Sequence, residues 1–288
     1  MFRRRGQTQV TLPCHRVLKP RAHCCSLLAS LCLIGCGTRR LEPLEAAATA
    51  SAVPLDPLTQ GLVAYWKLDE RSPTDIASDS ADGLHPATPV NAPGPALGAD
   101  NPDGVVGRAF DGQSQYLLIH NADDLNFSGA ITLAAWVKIN ALNDDCQYII
   151  GHGYCLSPPG EVVLRVGSDT CGPVSSSPDW AGGAWLDDSY SATIPFDQTN
   201  DLGVWLHLAA TYDGVAWRLY RNAVQLGLLE SVVGAVPVAS DWAIGARAPG
   251  VSPCVPVPPE RYLNGAIAEV RIYRRALSAS EVEELYHR

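Results

Sequence analysis

The sequence predicts an all-β fold: two antiparallel sheets packed as a sandwich, followed by one short C-terminal helix. Three observations carry this. From Gly61 onward, short runs rich in Val, Ile, Leu, Tyr and Trp alternate with clusters of Gly, Asp, Asn and Pro, the spacing of many strands joined by turns. Two runs also alternate with a period of two. Residues 131–139 place Ile131, Leu133, Ala135, Val137 and Ile139 on one face and Thr132, Ala134, Trp136 and Lys138 on the other, and in the last run Ala266, Ala268, Val270 and Ile272 oppose Ile267, Glu269, Arg271 and Tyr273. Finally, Ser278-Ala-Ser-Glu281 is a capping box that starts a helix of about two turns ending near Tyr286. Alone, so short a helix is marginal, so Val282, Leu285 and Tyr286 are expected to dock on the sandwich.

Along the chain, residues 1–35 stand apart. They carry six basic residues and no acidic one, ahead of the apolar run 24–34. That is the pattern of a secretory signal. The run has 11 residues, short of the roughly 20 that a spanning helix needs. Leu33-Ile-Gly-Cys36 is similar to a bacterial lipobox, in which the cysteine is acylated and becomes the mature N-terminus. Ordinary secretion, or a start codon placed too far upstream, are the alternatives. Gly37 takes the place of the aspartate that often marks inner-membrane retention, which leans towards the outer membrane or cell surface. Residues 36–58, rich in Ala and Pro without apolar periodicity, read as a flexible tether, and residues 59–288 as one domain.

Within that domain, 147–151 and 162–166 read as the arms of a hairpin. Asp213-Gly214 separates 206–212 from 215–221, and Asn222-Ala223 follows, giving a meander with tight turns.

The formal net charge is -9, and without the six basic residues of the signal the mature chain is near -15. Nucleic-acid binding needs a basic face, and none is visible. Of nine cysteines, Cys146, Cys155, Cys171 and Cys254 lie in the domain. An even number in an exported domain reads as two disulfides with three possible connectivities. Zinc is the rival, but no Cys-x-x-Cys pair occurs.

Six motifs, in order, carry a family resemblance: Gly61-Leu-Val-Ala-Tyr-Trp-Lys-Leu-Asp-Glu70, Asp79-Ser-Ala-Asp-Gly83, Ala109-Phe-Asp-Gly112, Ile131-Thr-Leu-Ala-Ala-Trp-Val137, Trp205-Leu-His-Leu-Ala-Ala-Thr-Tyr-Asp-Gly214 and the closing segment 262–286. Together they resemble laminin-G-like (LamG) domains of the concanavalin A-like lectin type, which implies a jelly roll. In the related pentraxins the tip of the hairpin lies close to the loop before the last strand, here residues 248–261 with Cys254. The resemblance therefore implies pairing of Cys155 with Cys254, leaving Cys146 with Cys171 at the hairpin's open end.

Calcium is the cofactor that the resemblance implies, bound by carboxylates and loop carbonyls. The pentraxin loops offer only Glu161 and Glu260 here, at their edges, and hold Cys155 and Cys254 instead, so a disulfide is expected where those relatives have a metal clamp. A second position seen among bacterial relatives implies Asp79 and Asp82 with Glu269. The alternative is that Asp79 and Asp82 only form the turn.

Catalysis finds little support. Retaining glycosidases use two carboxylates about 5 to 5.5 Å apart, but no Glu-x-Asp-x-Glu occurs, Asp187 and Asp188 are adjacent and point to opposite faces, and Glu281, Glu283 and Glu284 belong to the helix. There is no Gly-x-Ser-x-Gly or His-Glu-x-x-His motif; His207 reads as a structural histidine and His85, in Gly-Leu-His-Pro, as a loop residue, and neither is assigned to catalysis. Among seven tryptophans, Trp66, Trp136, Trp205, Trp217 and Trp242 fall in predicted strands and belong to the core. Trp180 and Trp185 flank Gly182-Gly183 in a polar segment with Asp187 and Tyr190. Ring faces beside carboxylates are what a sugar site uses; the alternative has Trp185 continuing a strand and Trp180 pinning the loop. The expectation is a non-catalytic carbohydrate-binding LamG-like module at the bacterial envelope. A protein-interaction or adhesion module is the alternative, and a glycoside hydrolase the least favoured.

Overall fold

The computed structural model describes residues 56–96, 106–143, 146–156, 159–168, 171, 177–250, 254 and 257–288. All fall within one compact unit, Val53–Arg288. The segment expected to be a signal, Cys36 and most of the expected tether lie outside the described residues.

The strands in chain order are β1 (Leu62–Trp66), β2 (Thr88–Val90), β3 (Pro95–Ala96), β4 (Gly107–Asp111), β5 (Tyr116–Ile119), β6 (Ile131–Ile139), β7 (Gln147–Leu156) and β8 (Pro159–Gly167). They continue with β9 (Asp179–Trp185), β10 (Ser189–Pro195), β11 (Trp205–Tyr212), β12 (Ala216–Arg221), β13 (Val224–Glu230), β14 (Trp242–Ile244) and β15 (Asn264–Tyr273), and the chain closes with helix α1 (Ala279–Tyr286). Among the described residues they form two antiparallel sheets. One runs β13-β12-β11-β6-β15-β4-β3 with β1 also on β15, and the other runs β10-β9-β8-β7-β14-β5-β2. The expected all-β jelly-roll sandwich is the observed one.

The odd-numbered face of β6, from Ile131 to Ile139, lies in the core between the sheets, together with Trp66, Trp217 and Trp242. The even face is covered from outside. Trp136 stacks on Tyr286 of α1 at 5.5 Å, and Val282 and Leu285 bury against Ala134, Ala209 and Tyr273. Ser278 and Glu281 form the expected reciprocal cap.

The alternation expected for β15 is broken. Ile267, Val270 and Ile272 face the core, whereas Ala266 and Ala268 pack outside with Trp136 and Trp205. The cause is a bulge between Ala268 and Arg271, with Glu269 at φ 55°. One extra residue inverts the parity of everything beyond it. The tether's expected end is also ordered, because Leu58 is buried beside Leu277 and Leu285, and Asp56 pairs with Arg288 at 2.6 Å.

Both disulfides are present, Cys146–Cys171 and Cys155–Cys254. The first closes the base of the β7–β8 hairpin, and the second ties its tip to the segment between β14 and β15.

Candidate functional site

Strands β7 to β10 form a meander whose core face is set by Val162, Leu164, Val166 and Trp180. The intervening residues of β8, namely Glu161, Val163 and Arg165, therefore point to the sheet's outer face. Register completes the surface: Glu161 is paired with Trp185, Val163 with Gly183, and Gly183 with Ser191. Gly183 is required by close approach, since a Cβ there would stand 2.2 Å from the Tyr190 carbonyl oxygen. Arg247 and Arg261, from the segment that follows β14, stand over this face and close a cavity of about 400 Å³, the size of a small-ligand site.

The cavity is polar at its floor and aromatic at one side. Tyr154 and Trp185 have ring centroids 5.3 Å apart, and the Arg247 guanidinium lies 4.2 Å from the Tyr154 ring centre. Arg247 also donates to Glu260. Arg261 donates to the Tyr148 hydroxyl at 2.8 Å, and Arg165 to the Ser168 carbonyl at 2.9 Å. Asp188 and Ser189 sit exposed at the rim.

Glu161 is the unusual member, only 4% exposed. Burial pushes its carboxyl up to about 7, against the opposing pull of Arg247, Arg261, Tyr148 and Arg165. Its Oε1 has no hydrogen-bond partner among the described residues. Burial also raises the Tyr148 phenol beside it.

Of the residues expected to form a sugar site, the structure brings only Trp185 to this cavity. Trp180 is a correction: it is fully buried, packs on Phe196 and donates to Asp201 at 3.0 Å, so its ring offers no face to a ligand. Even positions of β9 face the core. Asp187 and Tyr190 are bonded to each other at 2.8 Å, which holds the Asp187 carboxyl below its ordinary range, and Tyr190, paired with Ala184, belongs to the other face of the sheet. The residues missed were Tyr148, Tyr154, Arg165, Arg247 and Arg261, while Glu161 was noted only as a loop edge. One signal was available: Glu161 and Arg165 are charges at every fourth position of a strand whose other residues are apolar.

The expected metal set is only partly assembled. Asp79, Asp82 and His85 each offer a ligand atom, all within 4.8 Å of one another. Glu269 does not join them, because its carboxylate accepts from the Tyr65 hydroxyl and from Arg271. Asp79 accepts from the amides of Tyr65, Ala81 and His85 at 3.0, 2.9 and 3.3 Å, and Asp82 from that of Leu84 at 2.9 Å. His85 is engaged with Asp124 at 3.0 Å. Two amide-bound carboxylates and a committed imidazole are a poor match for the six to eight oxygens calcium takes, and they do match a turn held by its aspartates.

His207 lies fully buried between Trp136 and Tyr286, at 5.5 and 6.0 Å, a structural position as expected. His152 stacks on Trp242 at 4.5 Å. No helix among the described residues is long and apolar enough to cross a membrane.

Comparison with known proteins places the fold. The structure is similar to the botulinum neurotoxin serotype C1 binding domain, with TM-score 0.55, 10% identity, and coverage of 80% of this chain and 52% of that one. It is also similar to the binding domain of botulinum neurotoxin DC in complex with SialylT, with TM-score 0.53, 8% identity, and coverage of 80% and 52%. For Trypanosoma rangeli sialidase in complex with sialic acid the TM-score is 0.51, the identity 16%, and the coverage 78% and 32%. The chain thus spans about half the length of those neurotoxin domains and a third of the sialidase. At such identities the likeness shows the fold alone. No curated protein matches the sequence. Residues 111–283, more than half of the chain, match the family described as the concanavalin A-like lectin/glucanases superfamily (Laminin_G_3), and the chain belongs to that family.

Proposed function

We propose that this LamG-like domain is a non-catalytic glycan-binding module, exported to the bacterial envelope and held there by lipid on Cys36, with the cavity over β7 to β10 as its sugar site. The observation that carries the reading is the Trp185–Tyr154 wall: a partly exposed indole beside Asp188, Ser189 and Ser191, where a ring can stack on a sugar's apolar face while oxygens take its hydroxyls. Binding is favoured over hydrolysis because the cavity holds one buried acid, Glu161, whereas its other carboxylate, Asp188, stands exposed at the rim.

The test is a glycan array on the purified, oxidised protein beside Trp185→Ala. Specific binding that the variant loses supports the reading. A blank array with correctly folded protein removes it. Export and lipidation are checked separately, by labelled palmitate incorporation that Cys36→Ser abolishes.

A protein-interaction module is the second reading, and one feature favours it. Val224, Leu226 and Leu228 lie 57%, 52% and 59% exposed along β13, the last strand of its sheet. Such an apolar row on a sheet edge is a place where another chain can pair.

A further inference from the structure

We infer that Cys171 is a site of thiol–disulfide exchange: a small-molecule thiol entering the cavity attacks the Cys171 sulfur, and Cys146 leaves as a thiolate supported by Arg165. The inference does not depend on which ligand the cavity binds.

The two bridges stand in different surroundings. Cys155 and Cys254 are 1% and 2% exposed and pack with Val236 and Val238. Cys146 is also fully buried, with Tyr148 and Val163 around it. Of the four bridged cysteines only Cys171 is partly open, and it lines the cavity over β7 to β10. That cavity, about 400 Å³, has room for a molecule the size of free cysteine. Access therefore singles out one sulfur of one bridge.

The other end of the same bridge is prepared for departure. Arg165, itself only 3% exposed, aims Nη1 at the Cys146 sulfur from 3.1 Å. Exchange is faster when the sulfur that leaves carries its negative charge well, and a guanidinium beside it favours the thiolate. The Ser168 carbonyl, 3.1 Å from the same sulfur, offers an acceptor once Cys146 has taken a proton. By contrast, the Cys254 sulfur faces the Ala239 carbonyl at 3.6 Å, which gives a departing anion no support. Backbone strain acts in the same direction. Cys171 sits at φ 46°, a left-handed conformation that is unfavourable for a residue with a side chain, and opening the bridge loosens one of the ties that hold it there.

The chemistry balances without an outside oxidant or reductant. The thiol loses its proton to solvent, its sulfur bonds to Cys171 Sγ, and the Cys171–Cys146 bond breaks with its electron pair going to Cys146 Sγ. A mixed disulfide replaces the internal one at the same oxidation level, and the thiol's own substituent is left in the cavity. Attack by Cys146 on the mixed disulfide reverses the step.

The experiment incubates the purified, oxidised protein with excess L-cysteine, quenches early samples with N-ethylmaleimide, and locates the adducts by peptide mass spectrometry, in native buffer and in unfolding urea. In native buffer we expect cysteine on Cys171, maleimide on Cys146, and exchange at this bridge at least about tenfold faster than at Cys155–Cys254. The preference should vanish in urea, where neither access nor Arg165 distinguishes the bridges. Arg165→Met should slow native exchange about tenfold, and Arg165→Lys, which keeps a cation, should restore most of the rate. Equal native rates at the two bridges, cysteine attached chiefly to Cys146, or a preference that survives in urea each overturn the inference. So does a folded Arg165→Met that exchanges at the wild-type rate. The native and urea maps use only wild-type protein, so they decide the matter even where Arg165→Met fails to fold.

Discussion

Glu161 and Trp185 are cross-strand partners in the β8–β9 ladder. Sheet register, not a loop, therefore brings a buried acid and a partly exposed indole onto one wall, and directly opposite residues in such a ladder stand about 4.5 to 5.5 Å apart at their Cβ atoms. A site built this way is held as firmly as the sheet itself, with the Cys155–Cys254 bridge tying the strand tip to the segment that carries Arg247 and Arg261.

The two tryptophans of β9 separate stability from binding. Trp180→Ala removes a fully buried core side chain, and should lower unfolding free energy by about 3 to 5 kcal/mol in urea titration. Trp185→Ala, at the cavity mouth, should leave the urea midpoint nearly unchanged and abolish glycan binding. Equal destabilisation by both would contradict the assignment of their faces.

Acid should weaken the fold through its histidines. Burial lowers both His152 and His207 from 6.5 to about 3. Between those values the unfolded chain binds protons that the folded chain does not, so this contribution to stability rises with pH and is lost as pH falls from about 6.5 towards 3. His207→Phe, placed between Trp136 and Tyr286, should flatten that slope in denaturation midpoints measured across the range.

Glu161 acts with the opposite sign. Its carboxyl is raised from 4.5 to about 7, so between those values the folded protein holds a proton that the unfolded chain has released, and this contribution fades as pH rises. Glu161→Gln should therefore show a smaller decline in melting temperature from pH 5 to pH 8 than wild type. A steeper decline would show that the carboxylate, not the acid, is the form the fold prefers.

The two disulfides should differ in weight. Their sequence separations are 25 for Cys146–Cys171 and 99 for Cys155–Cys254. Loop-closure entropy gives about 3.5 and about 4.7 kcal/mol respectively. Replacing both members of each pair by serine and comparing denaturation midpoints checks the order, with the long-range bridge expected to cost more.

Asp79 tests turn against metal. Its carboxylate satisfies three backbone amides, so Asp79→Ala should destabilise by about 1 to 3 kcal/mol. Chelator and added calcium should leave the wild-type melting temperature where it is. A melting temperature that rises with calcium and falls with chelator would restore the metal reading.

Much of the fold was legible because short-range rules fix it. Period two assigned the core face of β6, and the left-handed pair Asn222 and Ala223, at φ 49° and 65°, makes the tight turn expected between β12 and β13. Ser278 and Glu281 cap α1 by local hydrogen bonds alone. The same rule failed on β15, where the bulge at Glu269 depends on pairing with a neighbouring strand and leaves no mark in the alternation. It failed again at Trp180, whose polar, glycine-rich surroundings resemble a loop but form a strand because β8 and β10 supply partners on both sides.

By itself the sequence determined the sandwich, its closing helix, the family motifs and the cysteines available for bridging, since each depends on residue type and spacing along a few neighbours. Only the tertiary structure decided the site. Its residues run from Tyr148 to Arg261, and what makes Glu161 notable is not its identity but that three strands and a crossing segment exclude water from it. Burial and register are properties of the assembled sheets, because desolvation depends on everything packed around a group and not on its neighbours in the chain.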